Sequence, residues 1–140
     1  MRQALEINRQ SYGPDHPTVS IRLNNLAQLL KATNRLGEAE PLMRQALAMD
    51  EQSYGPHHPK VAIALNNLAN LLEATNRREA AEPYCRRGVE IFLGFTHNTG
   101  HEHPHLRGGL RNYSQILQAM GMSAPEIRAR FAELGVRIGE

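Results

Sequence analysis

Shifted by 42 residues, the chain lies over itself: Met1 to Arg44 aligns with Met43 to Arg86, and 29 of the 44 paired positions are identical. A repeat of this quality constrains the architecture ahead of any local propensity. Each copy is one supersecondary unit that cannot bury its apolar face alone, so neighbouring copies must stack.

Within a unit, Val19, Leu23, Leu26, Ala27 and Leu30 recur at helical spacing and predict a first helix, A. After "ATNR", Leu36, Ala39, Met43, Ala46 and Leu47 predict a second, B, so the unit is a helical hairpin. The "SYGPDHP" and "SYGPHHP" stretches, at 11–17 and 53–59, connect one unit to the next. Gly13 and Gly55 suit the end of a helix B, and Pro17 and Pro59 suit the first turn of the following helix A. Pro41 and Pro83 fall about a turn into helix B and are expected to kink it unless it begins late.

A degenerate third unit follows. "HEHPHLRGGLRNYSQILQAMG" matches "HP" plus helix A, with His103 and Pro104 equivalent to His58 and Pro59 at a spacing of 45 residues. The three extra residues are expected in the preceding loop, "GFTHNTGHEHP". The closing stretch "SAPEIRARFAELG" carries Ser123 and Glu126 in capping-box spacing, with Pro125 in the first turn.

Composition adds limits. At 140 residues the chain is long enough for one domain and short for two. Good helix formers dominate, and tryptophan is absent. The single cysteine, Cys85, cannot form an internal disulfide, and with no leader or apolar run of about 18 residues a reducing, cytoplasmic setting is expected, without membrane insertion. Fourteen arginines against two lysines give a net charge of only +2, scattered along the chain. Arg77, Arg78, Arg86 and Arg87 form a basic cluster, but no aromatic residues are interleaved to stack bases, so nucleic acid is not an expected partner.

The residues that recur also carry a resemblance. Leu23, Leu26, Ala27, Leu30, Ala39, Met43 and Ala46 resemble the tetratricopeptide (TPR) pattern, with leucine or methionine in place of its aromatics. The "LNNLA" core, the "EAEP" of Glu38 to Pro41 and the "YGPDHP" loop look like the 42-residue variety found in kinesin light chains and many bacterial repeat proteins. The resemblance covers residues 1 to about 122 and implies an all-α fold, a right-handed α-solenoid of stacked antiparallel hairpins. Residues 1–140 would form one domain: an orphan helix B at 1–12, hairpins at 17–54 and 59–94, and a degenerate third hairpin with its cap at 103–137.

At about 100° per residue, Ile21, Asn24, Asn25 and Gln28 lie opposite the apolar stripe of the first helix A. Ile63, Asn66, Asn67 and Asn70 repeat this in the second, and Arg111, Asn112 and Gln115 follow in the third. The resemblance implies that helices A line a concave groove, and that Asn25, Asn67 and Asn112 clamp the backbone of an extended peptide, since a carboxamide both donates and accepts. Ile21 and Ile63 would add apolar contact. Specificity is expected where the units differ, at Lys31, Glu73 and Gln118 in one register and Arg22, Ala64 and Gly109 in another. Grip on a terminal carboxylate uses several lysines and arginines, and only Lys31 and Arg111 are available here.

Protein or peptide recognition is therefore the expected function. The second reading is self-assembly, a homo-oligomer formed through residues 1–12. Catalysis is not expected, because no nucleophile, base and orienting group recur together. No cofactor is expected, and no metal: His97, His101, His103, His105 and Glu102 sit on a predicted loop without paired helical spacing, and His103 has an ordinary place ahead of a proline.

Overall fold

The structure is a computed structural model that describes residues 17–135. Those residues form six α-helices: α1 (Pro17–Ala32), α2 (Leu36–Tyr54), α3 (Pro59–Ala74), α4 (Arg78–Thr99), α5 (Leu106–Ala119) and α6 (Ala124–Glu133). The segment expected as an orphan helix, 1–12, lies outside the described residues. The pairs α1/α2 and α3/α4 are the two hairpins, and each packs on the next to make an all-α solenoid.

The same local chemistry ends every helix A. Asn34 and Asn76 take left-handed backbone, with φ of 63° and 67°. The following N–H groups reach back across the last turn, Arg35 to the Leu30 carbonyl at 2.7 Å and Arg77 to that of Leu72 at 2.8 Å. In the third unit Gly121 stands at this position, and Met122 bonds to the Leu117 carbonyl at 3.1 Å. Asparagine and glycine tolerate the left-handed conformation, and the motif satisfies carbonyls that the helix leaves open.

The "HP" signal is a helix start built on imidazole. Nδ1 of His58 accepts the Lys60 N–H at 3.0 Å, and Pro59 opens α3 where a missing N–H costs nothing. His103 accepts from His105 in the same way, at 3.1 Å. Here the chain makes a further turn, so α5 begins at Leu106 and Pro104 stands ahead of the helix rather than opening it. Pro41 and Pro83 both lie inside their helices, which continue through them.

One expectation is corrected. The stretch from Gly94 to Thr99, read as loop, is the C-terminal end of α4, and Gly100 closes it with φ of 75°. The added helix is held by tertiary contact and by local hydroxyl bonds. Phe95 meets His103 edge-on at 4.9 Å, and Thr96 and Thr99 donate to the carbonyls of Phe92 and Phe95.

The core runs continuously through Met43, Leu65, Leu68, Leu72, Val89, Phe92 and Tyr113. Two junctions at equivalent register are built differently. Between the first hairpin and α3, the buried Asp50 accepts a 2.5 Å hydrogen bond from Ser20 Oγ, with His58 and Lys60 supplying nearby positive charge. One unit on, those four positions are Phe92, Ala62, His103 and His105, and the contact becomes one between the tilted rings of Phe92 and His103, 4.6 Å apart.

Candidate functional site

Helices α1, α3 and α5 form one layer of the solenoid, and the two layers differ in how tightly their members approach. α3 and α5 touch directly. Gly109 sits within this packing, where an added Cβ would lie in ordinary contact, 3.5 to 3.7 Å from Asn66, Phe92 and Val89. Across the other layer, α2 and α4 are bridged by long side chains: Arg44 to the Tyr84 hydroxyl at 3.0 Å, Arg77 to Glu40, and Arg87 to Glu51 at 3.2 Å. The odd-numbered helices are the layer on which the groove is expected.

The thirteen residues expected on the inner face are all at least partly accessible. Ile21, Asn25, Gln28, Arg111 and Gln115 are exposed, while Asn24, Lys31, Ile63, Asn66, Asn67, Asn70, Glu73 and Asn112 are half-buried. They divide by what their polar atoms do. Asn25, Gln28, Asn67, Asn70, Asn112 and Gln115 form no side-chain hydrogen bond among the described residues. The result is an unbroken run of uncharged donors and acceptors at two registers in three successive helices.

Asn24 and Asn66, the first of each pair, face neighbouring helices instead. Asn66 Oδ1 accepts from the Cys85 thiol at 3.9 Å, and its amide nitrogen lies against Gly109. Asn24 Oδ1 is buried without a partner. The reason is legible in the repeat: Met43 stands where Cys85 stands in the next unit, and a thioether has no hydrogen to donate. Cys85 itself is buried, and burial first, then Glu82, pushes its thiol up to about 12, so it is an interhelical contact rather than a nucleophile.

The other candidate chemistries are accounted for by local packing. Arg77, Arg86 and Arg87 are paired with Glu40, with Glu82 and Glu90, and with Glu51, while Nε of Arg78 is buried without a partner. His103 is packed against Phe92 and Phe95, and burial together with His105 holds its imidazole below the ordinary histidine value. Among the described residues no group of three or more histidine, cysteine or carboxylate side chains could hold a metal ion, and no helix is long and apolar enough to cross a membrane.

A family model for the tetratricopeptide repeat matches residues 1–52 and 38–93. Comparison with curated proteins finds no match. Among solved structures, the chain is similar to BtubC (BKLC) from P. vanneervenii, with a TM-score of 0.77 and 22% identity over 99% of this chain and 57% of that one. It is similar also to a kinesin light chain with nearly identical TPR-like repeats from Podosopora anserina, with a TM-score of 0.70 and 19% identity over 96% of this chain and 62% of that one. A point variant of the same protein gives a TM-score of 0.71. The chain thus spans between 57% and 62% of the length of these proteins, and at such identities the likeness establishes the fold alone. The recurring motifs, the stacked hairpins and the family match agree: this chain belongs to the tetratricopeptide repeat family, whose repeats mediate contacts between proteins.

Proposed function

We propose that the chain is a non-catalytic recognition module that holds an extended peptide along the inner face of α1, α3 and α5. The observation that carries this reading is the run of carboxamides at Asn25, Asn67 and Asn112, flanked by Gln28, Asn70 and Gln115, none of which bonds within the described residues. A peptide backbone offers alternating donors and acceptors, which uncharged amides match without selecting side chains. Ile21, 56% exposed, and Ile63 supply apolar contact, and the differing Lys31, Glu73 and Arg111 supply selectivity.

The test is to pan a random-peptide display library on the wild type and on a folded Asn25→Ala, Asn67→Ala variant. Enrichment on the wild type is expected to fall at least about tenfold on the variant, as loss of two backbone clamps predicts. Asn66→Ala is the internal control, expected to lower stability by about 1 kcal/mol because it removes an interhelical contact. Equal enrichment on the wild type and the double variant would overturn the groove reading.

A specific observation also favours self-assembly. Leu71 is fully buried, whereas its counterpart Leu29 is 59% exposed, on the same helix as the exposed Ile21. A second copy covering this face would make α1 resemble α3. Light scattering over a concentration series is expected to show a dimer for the wild type and a monomer for Leu29→Glu. A wild type that stays monomeric at high concentration rules this reading out.

A further inference from the structure

A cavity of about 700 Å3 opens on the side of α4 that faces the α2–α3 connection, and it shares no residue with the inner face. Its size falls in the range of ordinary ligand sites, roughly 300 to 1,000 Å3. Pro59, Ile91, Gly94 and Phe95 give it apolar lining, and His57, Glu90 and Asn98 are among its polar lining residues.

The repeat shows how it arises. In the first unit, helix B ends at Tyr54, the counterpart of Thr96, but α4 continues to Thr99. The three residues by which the second spacing exceeds the first are therefore one added helical turn, and that turn carries Asn98 into the cavity wall. Two substitutions shape the space beside it: Gly94 removes the side chain that Gln52 has, and Phe95 puts a ring where Ser53 has a hydroxyl.

Gly94 is the informative residue. Glycine inside a helix costs roughly 0.8 to 1 kcal/mol relative to alanine. Neither conformation nor packing asks for it here, because its φ is not positive and an added Cβ would have nothing within 4 Å. An unfilled spot on a helix, in a cavity that the half-buried Phe95 also lines, is a place that something else can fill.

Charge and geometry narrow the occupant. Arg87, at the edge of the cavity, is committed to Glu51 and to the Pro56 carbonyl, and Glu90 pairs with Arg86 at 3.7 Å. No free charge is left to select an ion. The side chains of Asn98 and His57 form no hydrogen bond among the described residues, so a polar edge entering the cavity finds both a donor and an acceptor. Apolar faces from Phe95 and Pro59, together with unpaired polar groups in the lining, suit a ring that is apolar in its body and polar at one edge.

We propose that this cavity is an anchor site for one aromatic side chain, tyrosine or tryptophan, presented by a partner polypeptide. The ring lies over Gly94 against Phe95 and Pro59, with its polar edge at Asn98 and His57. The site is independent of the inner groove, so a partner that engages both gains by effective concentration rather than by any new contact.

The absence of tryptophan from the chain makes the test clean. N-acetyl-tryptophanamide is titrated into the protein while its fluorescence and the backbone amide spectrum are followed. A blue-shifted, saturable emission is expected, with shifts centred on Gly94, Phe95 and Asn98. N-acetyl-leucinamide is expected to bind at least tenfold more weakly. Gly94→Leu fills the space with a good helix former and is expected to weaken the aromatic probe at least tenfold, and Phe95→Leu, which keeps the bulk and removes the ring, severalfold. Arg128→Ala, on α6 and away from both surfaces, is expected to leave binding unchanged. The proposal is overturned if the leucine probe binds as well as the tryptophan probe, if the shifts fall elsewhere, or if folded Gly94→Leu binds as the wild type does.

Discussion

Ser20→Ala is expected to destabilise the protein by about 1 to 3 kcal/mol, although it removes only one hydroxyl. The hydroxyl is the 2.5 Å donor to Asp50, a carboxylate that is 6% exposed, and its loss leaves a buried acceptor short of a partner. The second unit prescribes the remedy. With Ala62 and Phe92 at the equivalent positions the junction is apolar, so Ser20→Ala with Asp50→Phe is expected to recover the loss and exceed the wild type, as buried polar pairs often do when replaced by well-packed apolar ones. Urea denaturation of the two single variants and the double variant measures the coupling. A double variant less stable than Ser20→Ala alone would show that the first junction needs its polar pair.

The same residue sets a pH dependence. Burial raises the Asp50 carboxyl above its ordinary 3.8, against the Ser20 hydrogen bond and the nearby charges of Lys60 and His58, which lower it. A folded value above the unfolded one means that the native state holds the extra proton. The contribution of Asp50 is therefore most favourable below 3.8 and falls as pH rises through the window from 3.8 to the folded value. Asp50→Asn is expected to abolish that slope.

Much of this was legible in the sequence because the repeat states it twice. Positions that recur, such as Leu23 and Leu65, are buried scaffold, and the hairpins follow from their spacing. The end of α4 was not legible. Gly94 and the "NTG" run read as loop by local chemistry, and the ring of His103 that meets Phe95 lies eight positions further along the chain. The division of labour within each asparagine pair was also hidden. Periodicity places Asn66 and Asn67 on one broad polar face, but only the identity of the facing residue, Cys85 or Gly109, makes the first an interhelical contact. The paired arginines illustrate the same limit, since Arg77 finds Glu40 across the gap between α2 and α4 rather than along its own helix.

Phe131→Ala is expected to have the largest effect, a loss of about 3 to 5 kcal/mol. In a linear stack each helix is held by its neighbours, and α6 packs on α5. The capping box fixes where α6 begins: Ser123 Oγ accepts the Glu126 N–H at 3.3 Å, and Glu126 accepts the Ser123 N–H at 3.2 Å. The helix is short, however, and α6 docks through few groups. Ile127 and Phe131 are buried, Phe131 stacks on Tyr113 with centroids 5.7 Å apart, and Arg130 reaches the Tyr113 hydroxyl at 3.4 Å and Glu82 at 3.5 Å. Without the Phe131 ring the remaining contacts cannot hold ten residues against their conformational entropy, roughly 1 to 2 kcal/mol each. Tyr113 then loses its cover, and the damage passes to α5, because each helix in a linear array leans only on its neighbours. Hydrogen exchange is expected to show protection lost in α6 and α5 while α3 keeps most of its own. Uniform loss across all six helices would mean that the stack unfolds as one unit, and an unchanged denaturation midpoint would mean that α6 adds little to its stability.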